Sequence, residues 1–221
     1  MLQRVLEPEV MDSALDAEEY DAMDHGAVNA RFAQDFAEAG GRPSLALDLG
    51  TGTAIIPVVL CERLPGIRII AADYAAAMLR LARRNAQRGG LAHSIQLFRC
   101  DAKRLPFAAD CFPQVISNSI VHHLPEPASV FREAWRVARP DGLIFFRDLF
   151  RPADESTLRL LVEQYAAGGT PRQEKMFGDS LRAALTVDEV REIVASLGSG
   201  SGSVTATSDR HWTWIARKGR N

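Results

Sequence analysis

The chain has 221 residues, 26 Lys and Arg against 28 Asp and Glu, and a formal net charge of −2, with 47 % hydrophobic and 24 % charged residues. That supply of apolar residues suits a full core in one domain, and the near-neutral balance excludes any broad attraction for nucleic-acid backbones or anionic lipid. Three cysteines, Cys61, Cys100 and Cys111, are odd in number and lack CxxC spacing, which argues against a disulfide framework and a zinc site; no metal is expected, and a reducing cytoplasm is the simplest home.

The opening stretch, "MLQRVLEPEVMDSALDAEEYDAMDH", is acidic and has no apolar core of signal-peptide length, so neither a signal peptide nor a membrane span is expected. Residues 1–44 read as a helical cover over the sheet edge, with one helix at Ala27–Ala39. From Leu45 to about residue 150, apolar strands alternate with helical periods, the sign of a parallel sheet flanked by helices. Strands are expected at Leu45–Leu49, Ile67–Asp73, Ser94–Cys100, Gln114–Ile120 and Leu143–Asp148. A helix follows Asp73 and stops at Gly89-Gly90; a second carries Val130, Phe131, Ala134, Trp135 and Ala138 on one face, and "RPDG" at 139–142 turns into the fifth strand. Residues 151–185 read as a two-helix insert or lid broken at Gly-Gly-Thr-Pro. In 186–221, Thr186 and Glu189 make a capping box, "GSGSGS" is featureless, and Val204–Ser208 and His211–Arg217 form a hairpin about Asp209-Arg210. The whole is one domain.

The chemistry concentrates in "LALDLGTGTA", residues 45–54. A strand that ends in Asp48 and turns through Gly50 and Gly52 into a helix brings backbone close to a ligand, because glycine has no Cβ to intervene. The third glycine of G-x-G-x-x-G is replaced by Ile55, and Asp48 sits where a pyrophosphate would be repelled but an ammonium welcomed. Asp73 ends the second strand, where a carboxylate accepts from ribose hydroxyls or caps the following helix; Asp101 ends the third, where it accepts from an adenine amine or caps a short turn. An amine, a ribose and an adenine describe S-adenosylmethionine better than NAD.

"LALDLGTGTA", "IIAADYAAAML", "LFRCDAKRLPF", "ISNSIVHHLPEP" and "ARPDGLIFFRDL" resemble, in order, the motifs of class I S-adenosylmethionine-dependent methyltransferases, and in particular the ubiquinone and menaquinone biosynthesis C-methyltransferase group. The resemblance implies an α/β, Rossmann-like, seven-stranded and mostly parallel sheet of order 3-2-1-4-5-7-6, with helices on both faces and a C-terminal antiparallel hairpin strand. It implies Gly50, Thr51 and Gly52 against the methionine part of the cofactor and Asp48 toward its ammonium. Asp73 then faces the ribose, Tyr74, Asp101 and Ala102 the adenine, and Asn118 the sulfonium end. Methyl transfer to a small-molecule acceptor, with S-adenosylhomocysteine as product, is the expected activity. A cofactor-binding sensor and a nicotinamide-dependent oxidoreductase are the alternatives.

A base is needed only where the acceptor must lose a proton. His123 and His25 are the residues expected to serve, His123 first because its loop follows the fourth strand; His122 and His211 are weaker candidates. If the first hairpin strand runs parallel to the rest, Asp209, Arg210 and His211 join the carboxyl edge of the sheet.

Overall fold

The computed structural model describes residues 2–7, 13–22, 26–200 and 203–219. In chain order the elements are α1 (Ala14–Asp21), α2 (Gly26–Glu38), β1 (Leu45–Leu49), α3 (Ile55–Arg63), β2 (Arg68–Asp73), α4 (Ala76–Arg88), β3 (Ile95–Arg99) and β4 (Phe112–Asn118). A 3-10 turn at Val121–His123 leads to α5 (Ala128–Val137) and β5 (Ala138–Leu149). Then come α6 (Glu155–Ala166), α7 (Pro171–Ala183), α8 (Val187–Ser196), β6 (Val204–Ala206) and β7 (His211–Arg217). The strands form one sheet of order β3-β2-β1-β4-β5-β7-β6, as expected. β1 pairs in parallel with β2 and β4, and β2 with β3; β6 and β7 are antiparallel.

The chain divides into two compact units. One comprises Val10–Asn118, Ser129–Phe146 and Ile215–Asn221 and holds β1 to β4. Its helix α2 puts Asn29, Phe32, Ala33 and Phe36 on one buried face by their i, i+3, i+4, i+7 spacing. Phe32 and Phe36 meet Phe145 edge-on, at centroid distances of 5.1 and 5.7 Å. On α1 and α4, Ala17 packs with Ala75, Ala77, Met78 and Leu81. Arg31, on the exposed side of α2, pairs with Asp35 at 2.8 Å.

The "RPDG" stretch is not a turn preceding the fifth strand: β5 already begins at Ala138 and runs through it. Asp141 adopts φ 61°, the left-handed bend of a bulge, while its N–H donates to Lys218 O at 2.8 Å and Gly142 O accepts from Lys218 N at 3.2 Å. The pairing survives the kink, so the strand continues.

The other unit comprises Met1–Glu9, Ser119–Ala128 and Arg147–Trp214. Its described N-terminal residues are not helical. Residues 2–7 run as a strap, with Leu2 N donating to Ala153 O at 3.1 Å, Val5 N to Arg182 O at 3.2 Å and Arg4 Nε to Ala183 O at 2.6 Å. The insert forms its two helices: Asp154 caps α6, and Thr170 with Gln173 closes a capping box on α7, whose first residue is Pro171. Leu158, Leu161, Leu181 and Ala184 pack with Leu149. Thr186 and Glu189 form the expected capping box on α8. Trp212 and Trp214 are fully buried, and Trp214 Nε1 donates to Ser199 Oγ at 3.2 Å. The hairpin turn is longer than Asp209-Arg210 alone: Thr207 N donates to His211 O at 2.8 Å, and Ser208 Oγ accepts from Arg210 N and His211 N. Ser208 thus does the turning that a two-residue glycine or asparagine turn would otherwise do.

Gly142 is crowded by main chain, not by side chains that could move aside. A Cβ there would lie 2.7 Å from Arg139 O and 3.1 Å from Phe112 O, both main-chain atoms that cannot swing away. We expect Gly142→Ala to destabilise the fold by about 1–3 kcal/mol in urea unfolding, the usual range for overpacking. An unchanged midpoint would show that β5 relaxes there freely.

Candidate cofactor site

The turn after β1 is built from three left-handed residues, Gly50 (φ 70°), Gly52 (φ 55°) and Ala54 (φ 60°). Glycine takes this conformation without strain, whereas Ala54 pays about 1–2 kcal/mol for it. Hydrogen bonds hold the turn against the end of β2: Gly50 N and Thr51 N both donate to Ala72 O at 2.9 Å, and Gly52 N donates to Asp73 Oδ2 at 2.8 Å. These N–H groups are therefore committed inside the protein.

Beside the turn lies a cleft of about 180 Å³ lined by Tyr20, Asp21, Asn29, Asp48, Gly50, Thr51, Thr53 and Asn118, among others. Asp48 is 2 % exposed, and burial pushes its carboxyl up to about 7; the Thr51 hydroxyl draws it back in part and the Asp73 carboxylate adds to the rise. Thr53 Oγ1, also buried on the cleft wall, has no hydrogen-bond partner among the described residues. A half-ionised buried carboxylate and an orphaned hydroxyl fit a ligand that brings a cation and a polar group.

The cleft joins four of the expected residues: Asp48, Gly50, Thr51 and Asn118. Gly52, Asp73, Tyr74, Asp101 and Ala102 lie outside its lining. Besides Gly52 N, Asp73 accepts from Ala75 N at 2.8 Å, an Asx-type turn into α4 whose own cap position, Ala75, has no side-chain cap. Asp101 does cap a short turn, accepting from Lys103 N at 2.8 Å with Lys103 Nζ 3.3 Å away, and Ala102 is buried. Tyr74 is 54 % exposed, with the Arg99 guanidinium 5.9 Å from its ring centre.

Tyr20, Asp21, Asn29 and Thr53 are cleft residues that sequence reasoning missed. Asn29 left a signal, a polar residue in the apolar stripe of α2. Asp21 is fixed by Asn85, whose Nδ2 donates to Asp21 Oδ1 at 2.8 Å and Thr53 O at 3.0 Å.

His25 lies outside the described residues. In the other unit, Asp148 organises the turn that carries His122 and His123. Its Oδ2 accepts from Val121 N at 2.5 Å and His122 N at 3.3 Å, while Oδ1 meets His122 Nδ1 at 2.5 Å. Burial opposes charge on His122, but the Asp148 and Glu7 carboxylates outweigh it and raise its pKa. Glu7 Oε1 is 3.4 Å from His122 Nε2 and 3.0 Å from His123 Nδ1. His211, bonded through Nδ1 to Ser208 Oγ at 2.9 Å, is driven down to about 4 by burial and by Arg210, which makes it a poor base at neutral pH.

Asp48 gives the protein a pH signature. A carboxyl whose folded pKa is raised, from an ordinary 3.8 to about 7, contributes stability that is fully present below about 4 and is lost as pH rises through 7. We expect wild-type unfolding free energy to fall between about pH 4 and 7 relative to Asp48→Asn, by on the order of 4 kcal/mol across the whole transition. Parallel pH profiles for the two proteins would contradict the buried, unpaired carboxylate.

Residues 47–146 match the family described as a methyltransferase domain. A demethylmenaquinone methyltransferase from Thermus thermophilus is 32 % identical over 123 residues, covering 56 % of this chain and 54 % of the relative. A malonyl-[acyl-carrier protein] O-methyltransferase from Geobacter sulfurreducens is 33 % identical over 200 residues, covering 85 % and 68 %. The chain thus spans about half to two thirds of the length of these curated relatives. The crystal structure of an S-adenosylmethionine-dependent methyltransferase from Aquifex aeolicus shares the fold, with a TM-score of 0.71 at 17 % identity over 93 % of this chain and 98 % of its own. The glycine turn, the strand order and these likenesses agree, and S-adenosylmethionine is the cofactor they imply: the chain belongs to the class I S-adenosylmethionine-dependent methyltransferases.

Proposed function

We propose that this chain transfers a methyl group from S-adenosylmethionine to a small-molecule acceptor by in-line displacement, leaving S-adenosylhomocysteine. The observation that carries the reading is Asp48, a buried carboxylate at the wall of a cleft beside a left-handed glycine turn. When bound, the cofactor supplies an activated methyl on a sulfonium. In this reading Asp48 holds the ammonium, and Gly50, Thr51 and Gly52 let the backbone approach the methionine part. Asp73 orients the ribose, Tyr74, Asp101 and Ala102 border the adenine, and Asn118 stands at the sulfonium end. Positioning and exclusion of water then supply most of the rate.

The committed N–H groups of Gly50, Thr51 and Gly52 leave no cradle for a pyrophosphate, which weighs against a nicotinamide cofactor. A near-neutral charge and the acceptors in the relatives' names, demethylmenaquinone and malonyl-[acyl-carrier protein], weigh against nucleic acid and support a small acceptor group. No helix among the described residues is long and apolar enough to cross a membrane, and we place the activity in the cytoplasm. An acceptor that arrives as a thiolate, carboxylate or amine needs no base. For one that must lose a proton, His123 is our assignment, oriented through Nδ1 by Glu7 while Nε2 takes the proton.

Calorimetry with S-adenosylmethionine, S-adenosylhomocysteine and NAD, followed by labelled methyl transfer into a metabolite extract, tests the proposal. We expect the first two ligands to bind and NAD not to, with label appearing in a small molecule. Binding without turnover in any extract would point instead to a sensor. Asp48→Asn should weaken cofactor binding by about 1.5–3 kcal/mol, the range for a hydrogen bond to a charged group. Gly52→Val should cost at least as much, since a left-handed φ of 55° strains a β-branched residue. Undiminished affinity in a folded Gly52→Val protein would remove the turn from the binding site.

A further inference from the structure

Glu7, His122 and His123 come together from the N-terminal strap and the 3-10 turn, and each directs one donor atom into the same space, all within 4.8 Å of one another. We infer that these three side chains form a binding site for a divalent transition-metal ion of the zinc type, with Glu7 Oε1, His122 Nε2 and His123 Nδ1 as its ligands.

Spacing is the first argument. An ion about 2.0–2.2 Å from each donor in a tetrahedral arrangement places neighbouring donors about 3.3–3.6 Å apart, and octahedral angles bring them to about 2.8–3.1 Å. Glu7 Oε1 lies 3.4 Å from His122 Nε2, a tetrahedral separation, and 3.0 Å from His123 Nδ1, an octahedral one, and the third edge is within 4.8 Å. The donor set is the second: two imidazoles and one carboxylate suit zinc and its neighbours, not calcium or magnesium.

The surroundings complete the case. Asp148 Oδ1 engages His122 Nδ1, which turns Nε2 toward Glu7, the carboxylate–histidine relay that commonly orients a metal-binding imidazole. Ser180 Oγ donates to Glu7, 3.2 Å from Oε1 and 3.3 Å from Oε2, and steadies the carboxylate. His123 Nδ1 is a buried atom with Glu7 Oε1 at 3.0 Å, so the ring and the carboxylate already face one another as two ligands of one ion would.

A bound ion would fasten the strap to the turn and leave a coordination position for water or an acceptor. It would also change the chemistry of His123: ligated through Nδ1, the ring keeps its proton on Nε2 and cannot accept another. The ion-loaded protein is then suited to acceptors that arrive already nucleophilic, and this separates the two roles of His123.

The test uses the full chain freed of any histidine tag and dialysed against chelator, with zinc chloride as the titrant. We expect saturable uptake of one ion per chain in calorimetry, a melting temperature that rises with zinc, and visible d–d absorption when cobalt(II) is used instead. Glu7→Gln and His123→Gln, which keep side-chain size and spare the His122–Asp148 pair, should each weaken zinc binding at least a hundredfold while far-UV circular dichroism is unchanged. Absence of saturable uptake at micromolar zinc would overturn the site and leave an ion-pair cluster only. Uptake of equal affinity in wild type and both variants would overturn it as well, by placing the ion on other residues. Neither readout depends on methyl transfer, so failure here leaves the proposed function standing.

Discussion

A buried carboxylate with no cation beside it among the described residues is the constraint around which the candidate cofactor site is arranged. Asp48 sits in β1 opposite Ala71 of β2 and Ile116 of β4, apolar neighbours that offer its charge nothing. The sheet accepts the cost because the same position, at the carboxyl end of a parallel strand, is where a ligand enters. The glycine turn follows from it. Gly50, Gly52 and Ala54 carry the chain from a strand into α3 in so few residues that left-handed backbone is unavoidable, and Ala72 O holds that backbone in place. Asp73 takes part twice, as the acceptor that fixes Gly52 and as a second negative charge that keeps Asp48 from ionising easily.

How much of this could be read beforehand depends on whether the cause was local. Asp48, Gly50 and Gly52 were legible because strand, carboxylate and turn are adjacent in sequence and obey one steric rule. The parallel sheet was legible in the βα rhythm, and its strand order came with the family resemblance. Asn29 was legible in principle, since its period matches Phe32, Ala33 and Phe36. The bulge at Asp141 was not, because "RPDG" favours a turn and the pairing that carries the strand through it comes from Lys218, far along the chain. Cysteine spacing led to the expectation of no metal and gave no view of Glu7, whose partners lie far along the chain. For Asp73 and Asp101 the local reading is the visible one: each caps the backbone next to it.

Asp148 plays the corresponding part in the other unit. Four groups converge on one buried carboxylate: the N–H of Val121, of His122 and of Leu149, and the His122 ring. A buried ion pair of this kind adds little net stability, because desolvation offsets attraction, but removing one partner is costly. Its effect is geometric. It sets the direction of an imidazole and the shape of a three-residue turn, and through Glu7 it gives the strap something to hold.

That strap has a kinetic consequence. Arg4 donates to Ala183 O across 179 positions and to Leu124 O across 120. Contacts of such separation close the largest loops and contribute little to a folding nucleus. The first few residues of the chain leave the ribosome long before α7 and the His122 turn exist, and must wait unpaired until both have been made. The strap is therefore the last piece to dock and, with few buried apolar groups of its own, the first to release: native-state hydrogen exchange should find it among the earliest openings, well below the free energy of global unfolding.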